Sequence, residues 1–112
     1  NKSYSFALKI VKTCKDLVSN QNEFVLSKQL LRCGTSIGAL IREAEHAQSK
    51  ADFINKMNIA LKEATESEYW LMLLKDSHYL NERSYISLNA DSLELVRLLA
   101  SIVKTSKDNL KK

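Results

Sequence analysis

Glu43 and His46 are the residues whose types and spacing come nearest to a reaction centre in this chain. Glu-x-x-His is the unit from which di-iron carboxylate sites are built inside four-helix bundles. Such a site needs a second Glu-x-x-His and two further carboxylates at the same height. His78 has Lys75 three positions before it, so the second half is missing. Counting back from a turn at Ser49, Glu43 is level with Lys56, and Glu63 lies about 10 Å further along the axis. The pair reads as part of a solvated face.

Glu68 falls among the apolar positions of its segment, near Ala64 and Leu71. A buried carboxylate must be paired or protonated. The same counting puts Glu68 level with residues 29–33, where Arg32 is its candidate partner. No nucleophile or base accompanies it, so the pair reads as structural. Gly34 and Gly38 invite a phosphate-cradle reading, but a phosphate loop needs Gly-x-x-x-x-Gly-Lys and then Ser or Thr after a strand. Neither that spacing nor the lysine is present. Cys14 and Cys33 lack CxxC spacing and sit on apolar stripes, which predicts reduced core thiols. These residues provide no catalytic group, no metal ligand set and no cofactor site. The chain reads as non-enzymatic.

The elements that position these residues are helices. The chain has 112 residues, no proline, and glycine only at positions 34 and 38. Few sharp turns are therefore available, and the length fits one domain over residues 1–112. Phe6, Ala7, Ile10, Val11, Cys14, Leu17 and Val18 form the apolar stripe of a first helix, about Ser3 to Ser19. Ser19-Asn20-Gln21-Asn22 is a polar link. A second helix runs from near Phe24 to Ala47 or Gln48, with Leu26, Leu30, Cys33, Ile37, Ile41, Ala44 and Ala47 on one face. Each glycine inside it costs about 1 kcal/mol against alanine, which predicts a second helix crossing closely at Gly34 and Gly38. Ser49 with Asp52 fits an N-cap, and so does Asn81 with Glu82. The third helix then runs to about Leu80 and carries Phe53, Met57, Ala60, Leu61, Ala64, Leu71 and Leu74. The fourth carries Tyr85, Leu88, Leu95, Val96, Leu99, Ile102, Val103 and Leu110. Short links between four helices predict an all-α, antiparallel up-down-up-down bundle.

Apolar residues remain outside these stripes. Ile59, Trp70 and Leu73 on the third helix, and Ile86 and Leu93 on the fourth, predict a subunit interface, because soluble monomers rarely expose large apolar patches. The longest apolar run, Tyr69 to Leu74, is too short for a bilayer. With no secretory signal visible, a cytoplasmic protein without a membrane partner is expected. The net charge is +4. Lys9, Lys12 and Lys15 on the first helix, with Lys104, Lys107, Lys111 and Lys112 on the last, supply most of the excess. First and last helices are neighbours in such a bundle, so the two sets are expected to form one basic strip that contacts RNA or DNA phosphates.

The run Ser27-Lys28-Gln29-Leu30-Leu31-Arg32-Cys33-Gly34-Thr35-Ser36-Ile37-Gly38-Ala39, followed by Ala51-Asp52-Phe53-Ile54, Ile59-Ala60 and Glu66-Ser67-Glu68-Tyr69-Trp70-Leu71, resembles the four-helix-bundle proteins of the 23S rRNA intervening-sequence group. The resemblance spans nearly the whole chain. It implies a homopentameric, barrel-like ring with no known catalysis. A relative of the group is the accessory variability protein of diversity-generating retroelements. That relation implies nucleic acid, or a nucleic-acid-processing protein, as a partner. Leu40, Arg42, Glu43 and Ala44 replace an Asn followed by an acidic-glycine turn that many members carry, so whatever role that Asn has is absent here or moved. Cys33 replaces a small apolar or hydroxyl residue.

Overall fold

Three links set the positions of four helices: α1 (Lys2–Gln21), α2 (Leu26–Glu45), α3 (Lys50–Asp76) and α4 (Glu82–Leu110). The computed structural model describes residues 1–110, and Lys111 and Lys112 lie outside the described residues. After α1, Asn22 takes a left-handed conformation (φ 52°) and its N–H returns to the Leu17 carbonyl, a helix stop that Asn tolerates. Glu23 then starts the next helix. Its carboxylate accepts the N–H groups of Val25 at 3.2 Å, Leu26 at 2.9 Å and Ser27 at 2.7 Å. The Ser49 hydroxyl accepts the Asp52 N–H at 3.0 Å, and the Asn81 side chain accepts the Ser84 N–H at 2.8 Å. Both caps are those the spacing predicts.

The third helix ends at Asp76, short of the expected Leu80. His78 has φ 68°, its N–H bonds to the Lys75 carbonyl, and the Tyr79 N–H bonds to the Leu74 carbonyl. That is a Schellman stop, with His in the place usually given to glycine.

The cross-helix contacts fix the directions. Cys14 donates to the Ser27 carbonyl at 3.4 Å near one end of α1 and α2, while Gly38 faces Ser3 near the other. Cys33 meets Ser67, and Glu43 meets Lys56, across α2 and α3. Ser92 donates to the Ala64 carbonyl across α3 and α4. Gln21 donates to the Tyr79 carbonyl and Lys9 to Asp91 along α1 and α4. Each neighbour runs antiparallel, and the bundle is up-down-up-down with sides α1–α2, α2–α3, α3–α4 and α4–α1. The molecule measures 52 × 21 × 21 Å.

Phe6, Ile10 and Leu17 of α1 close the core over Leu30 and Ile37 of α2, Leu71 and Leu74 of α3, and Leu95 and Leu99 of α4. Three stripe residues leave it: Val11, Val18 and Leu110 are exposed. The core takes only about one side chain per turn of α1, at Ser3, Phe6, Ile10, Cys14 and Leu17, so the wider stripe of α1 overflows onto the outside. A Cβ on Gly34 would sit 2.9 and 3.0 Å from two carbons of Ile10, so α1 is the closely crossing helix. Gly38 is looser. The nearest atom to its Cβ would be Ser3 Oγ at 3.4 Å, which leaves room for a methyl group.

The helices differ in reach. Lys2 pairs with Glu94, so the part of α4 beyond that level continues for roughly 20 Å with no α1 beside it. At that end the bundle has three helices.

Candidate functional site

The sequence motifs with chemical potential come apart in the structure. Glu43 pairs with Lys56 at 3.4 Å, at the level the turn count predicts, and His46 is the C-terminal cap of α2. Among the described residues no three His, Cys, Asp or Glu side chains converge. Burial, with the nearby Cys33 and Glu23, pushes the Cys14 thiol up to about 12. Burial also raises the Cys33 thiol. Thiols held protonated are poor nucleophiles. Burial opposes ionisation of Glu23 as well, but the three N–H bonds and the Ser27 hydroxyl outweigh it and hold its carboxyl below the usual range.

Arg32 does not meet Glu68. One amino group of its guanidinium bonds to Glu63 at 3.1 Å and the other to Glu66, on the α2–α3 face. The core place assigned to Glu68 belongs to Ser67, whose hydroxyl lies 3.3 Å from the Cys33 sulfur. One residue along a helix is a 100° rotation, so Glu68 turns to the α3–α4 face instead. There it borders a cavity of about 370 Å³ with Thr65, Tyr69, Met72, Tyr85, Asn89 and Leu93. Its Oε1 is buried and has no hydrogen-bond partner. Burial pushes this carboxyl up.

The five described lysines of the expected set do not form one strip. Lys9 is engaged, 2.6 Å from Asp91 and 3.2 Å from the Ser87 hydroxyl. Lys12 and Lys15 are exposed on α1, and Lys104 and Lys107 are exposed on α4. Lys104 and Lys107 lie past the start of α1, because Lys9 is level with Asp91 and not with the end of α4. The gap from Asp91 to Lys104 is about 20 Å along the helix. Lys111 and Lys112 lie outside the described residues. Arg83, which the charge reading passed over, joins Lys12 instead: the two line the α1–α4 groove with Lys9 and Asp16.

The expected interface residues divide between two faces. Trp70 and Leu73 are half-buried, and Ile59 is 36% exposed. By wheel position these three lie on the flank of α3 that carries Glu63 and Glu66, toward α2. Ile86 is 59% exposed, and Leu93 borders the Glu68 cavity on the α3–α4 face. Tyr69 and Met72 extend that face.

The strongest apolar surface was missed. On α1, Tyr4, Leu8, Val11, Lys15 and Val18 alternate spacings of four and three, the seam spacing of a coiled coil. Tyr4, Leu8, Val11 and Val18 are all exposed. Phe24, Lys28 and Leu31 carry the same spacing on α2. The two lines flank a groove of about 500 Å³ lined by Val11, Cys14, Lys15, Val18, Ser19, Phe24, Ser27, Lys28 and Leu31. Its sequence signal is the 4-3-4-3 spacing, which the core stripe of α1 masks because it shares Val11 and Val18.

The family model of the 23S rRNA-intervening sequence protein matches residues 1–101. The chain belongs to that family. Its fold agrees closely with the crystal structure of a protein of unknown function from the S23 ribosomal protein family of Bacteroides thetaiotaomicron VPI-5482. The two are 62% identical, the match covers 92% of this chain and 95% of the other, and the TM-score is 0.91. Among curated proteins no relative matches. In this family member no helix among the described residues is long and apolar enough to cross a membrane.

Proposed function

We propose that this protein is a non-enzymatic, self-associating bundle that works as a cytoplasmic adaptor at nucleic acid. The observation that carries the reading is the pair of exposed apolar faces on opposite sides of the bundle, α1–α2 and α3–α4. Two unlike patches on opposite sides suit head-to-tail contact, which closes into a ring when the rotation allows. The family resemblance gives five as the number of subunits.

The nucleic-acid part of the reading is supported by the +4 charge and by the description of the family. It does not rest on a continuous lysine strip. Lys12 with Arg83 at one level, and Lys104 with Lys107 at the three-helix end, are two separate basic sites per subunit that a ring would repeat. A mixed duplex titrated at low and physiological salt tests it. Binding that falls steeply with salt, and that weakens when Lys12 and Arg83 are changed to Glu, supports the adaptor. Absence of binding at low salt reduces the reading to a scaffold that binds only protein. That second reading is favoured by the acidic partners already held by Lys2 and Lys9.

A further inference from the structure

We infer that Glu68 is an interface residue whose carboxylate receives Lys15 or Lys28 from a neighbouring copy of this chain. The inference rests on the self-association reading above and names the contact that orients it.

Glu68 is the one described carboxylate with an oxygen that is buried and has no partner. An orphaned buried acceptor costs free energy until something donates to it. No cation among the described residues of its own bundle does so: Arg32 is held by Glu63 and Glu66, Lys56 by Glu43, and Lys75 lies over the Tyr85 ring. The cavity beside it opens on the α3–α4 face between Tyr69, Met72 and Tyr85. Leu61, Thr65, Glu68 and Met72 alternate four and three, so Glu68 lies within a seam line.

The opposite face has the complementary defect. Lys15 and Lys28 border the α1–α2 groove, are exposed, and have no acidic partner among the described residues. Apart from them the outer line of that groove is apolar: Tyr4, Leu8, Val11, Val18, Phe24 and Leu31. Packing this seam on the α3–α4 seam of the next copy covers both apolar lines and brings two lysines to the one carboxylate, of which Lys15 or Lys28 donates to Glu68 and the other stays at the solvated rim. A second copy therefore fits better than a peptide of arbitrary sequence. Identical faces of two copies would instead oppose lysine to lysine or leave Glu68 unpaired, so the pairing selects head-to-tail order over a two-fold dimer.

The test is sedimentation equilibrium of the wild-type chain, Glu68→Lys, the pair Lys15→Glu with Lys28→Glu, and the chain carrying all three changes. Glu68→Lys and the lysine pair should each raise the concentration needed for assembly by tenfold or more, on the scale of breaking a buried interfacial charge pair. The triple variant should assemble near the wild-type concentration. Circular dichroism checks that each variant remains helical. If Glu68→Lys does not fold, Glu68→Gln replaces it and should shift assembly in the same direction by a smaller factor. A wild-type assembly indifferent to changes at Glu68, or a triple variant no better than the singles, overturns the pairing while self-association stands. A wild-type monomer overturns self-association itself.

Discussion

The two sides of α2 meet their neighbours by different physics. Toward α3 the contact ends mostly in paired charges: Arg32 bridges Glu63 and Glu66 and Glu43 meets Lys56, with the Trp70 Nε1 on the same flank left without a partner. Toward α1 the inner contact is apolar and tight, with Gly34 against Ile10, and the outer edge is left unsatisfied as an exposed apolar groove. A side finished with ion pairs is suited to water. A side finished with Phe24, Leu31, Val11 and Val18 is suited to another protein surface. The contrast separates an edge closed by ion pairs from an edge that leaves apolar side chains exposed.

The largest expected effect tests the tight side. Gly34→Leu should destabilise the fold by about 3 kcal/mol, because the side chain must displace the buried Ile10. Urea unfolding measures it, and an unchanged midpoint would remove the close crossing from the account. Next comes the link that starts α2 and sets the groove. Glu23→Ala removes the acceptor for three amide groups and should cost about 1–2 kcal/mol. Because the folded-state carboxyl is held below its ordinary value, its stabilisation is fully present above about pH 4.3 and is lost as the pH falls through the lowered value. The difference between wild type and variant should therefore shrink in acid.

Smaller effects test the paired side. Arg32→Ala should cost no more than about 1 kcal/mol, since its guanidinium and Glu66 are well exposed. A loss as large as that of Gly34→Leu would make the α2–α3 edge a core element and erase the contrast. Smallest of all, Gly38→Ala should be neutral or gain up to about 1 kcal/mol of helix propensity, since Ser3 leaves space for the methyl group. Thermal melts of Gly34→Ala and Gly38→Ala side by side should move in opposite directions.

Much of the fold was legible in the sequence for local reasons. Ser49 and Asn81 announced two helix starts because a cap and its amide lie three residues apart. The Glu43–Lys56 level followed from turn length and rise per residue. The site readings failed where they depended on angle or reach. The sequence puts Glu68 in the core because an apolar stripe drifts along a long helix, and one position separates Ser67, which faces the core, from Glu68, which faces the α3–α4 groove half-buried. The lysine strip failed because it assumed that the end of α4 lies beside the start of α1. The bundle instead aligns Lys2 with Glu94 and leaves the rest of α4 beyond α1. Glu23 was missed because a Glu that caps through three successive amides lies outside the usual Ser, Thr, Asp and Asn signature. The α1–α2 seam was hidden because exposed and buried apolar residues have the same identities; only the width of the stripe separates them.

The central claim is that the α1–α2 seam joins copies of this chain. Sedimentation equilibrium at tens of micromolar, a range that detects even weak association, measures it on the wild-type chain and on Leu8→Glu combined with Val18→Glu. Both side chains are exposed, at 55% and 39%, so the variant should keep its helical signal. The account predicts one wild-type mass at an integral multiple of 12.7 kDa, five-fold as the resemblance implies, and a folded monomer for the variant. A wild-type mass of a single chain, or a variant that assembles as well as the wild type, would contradict it.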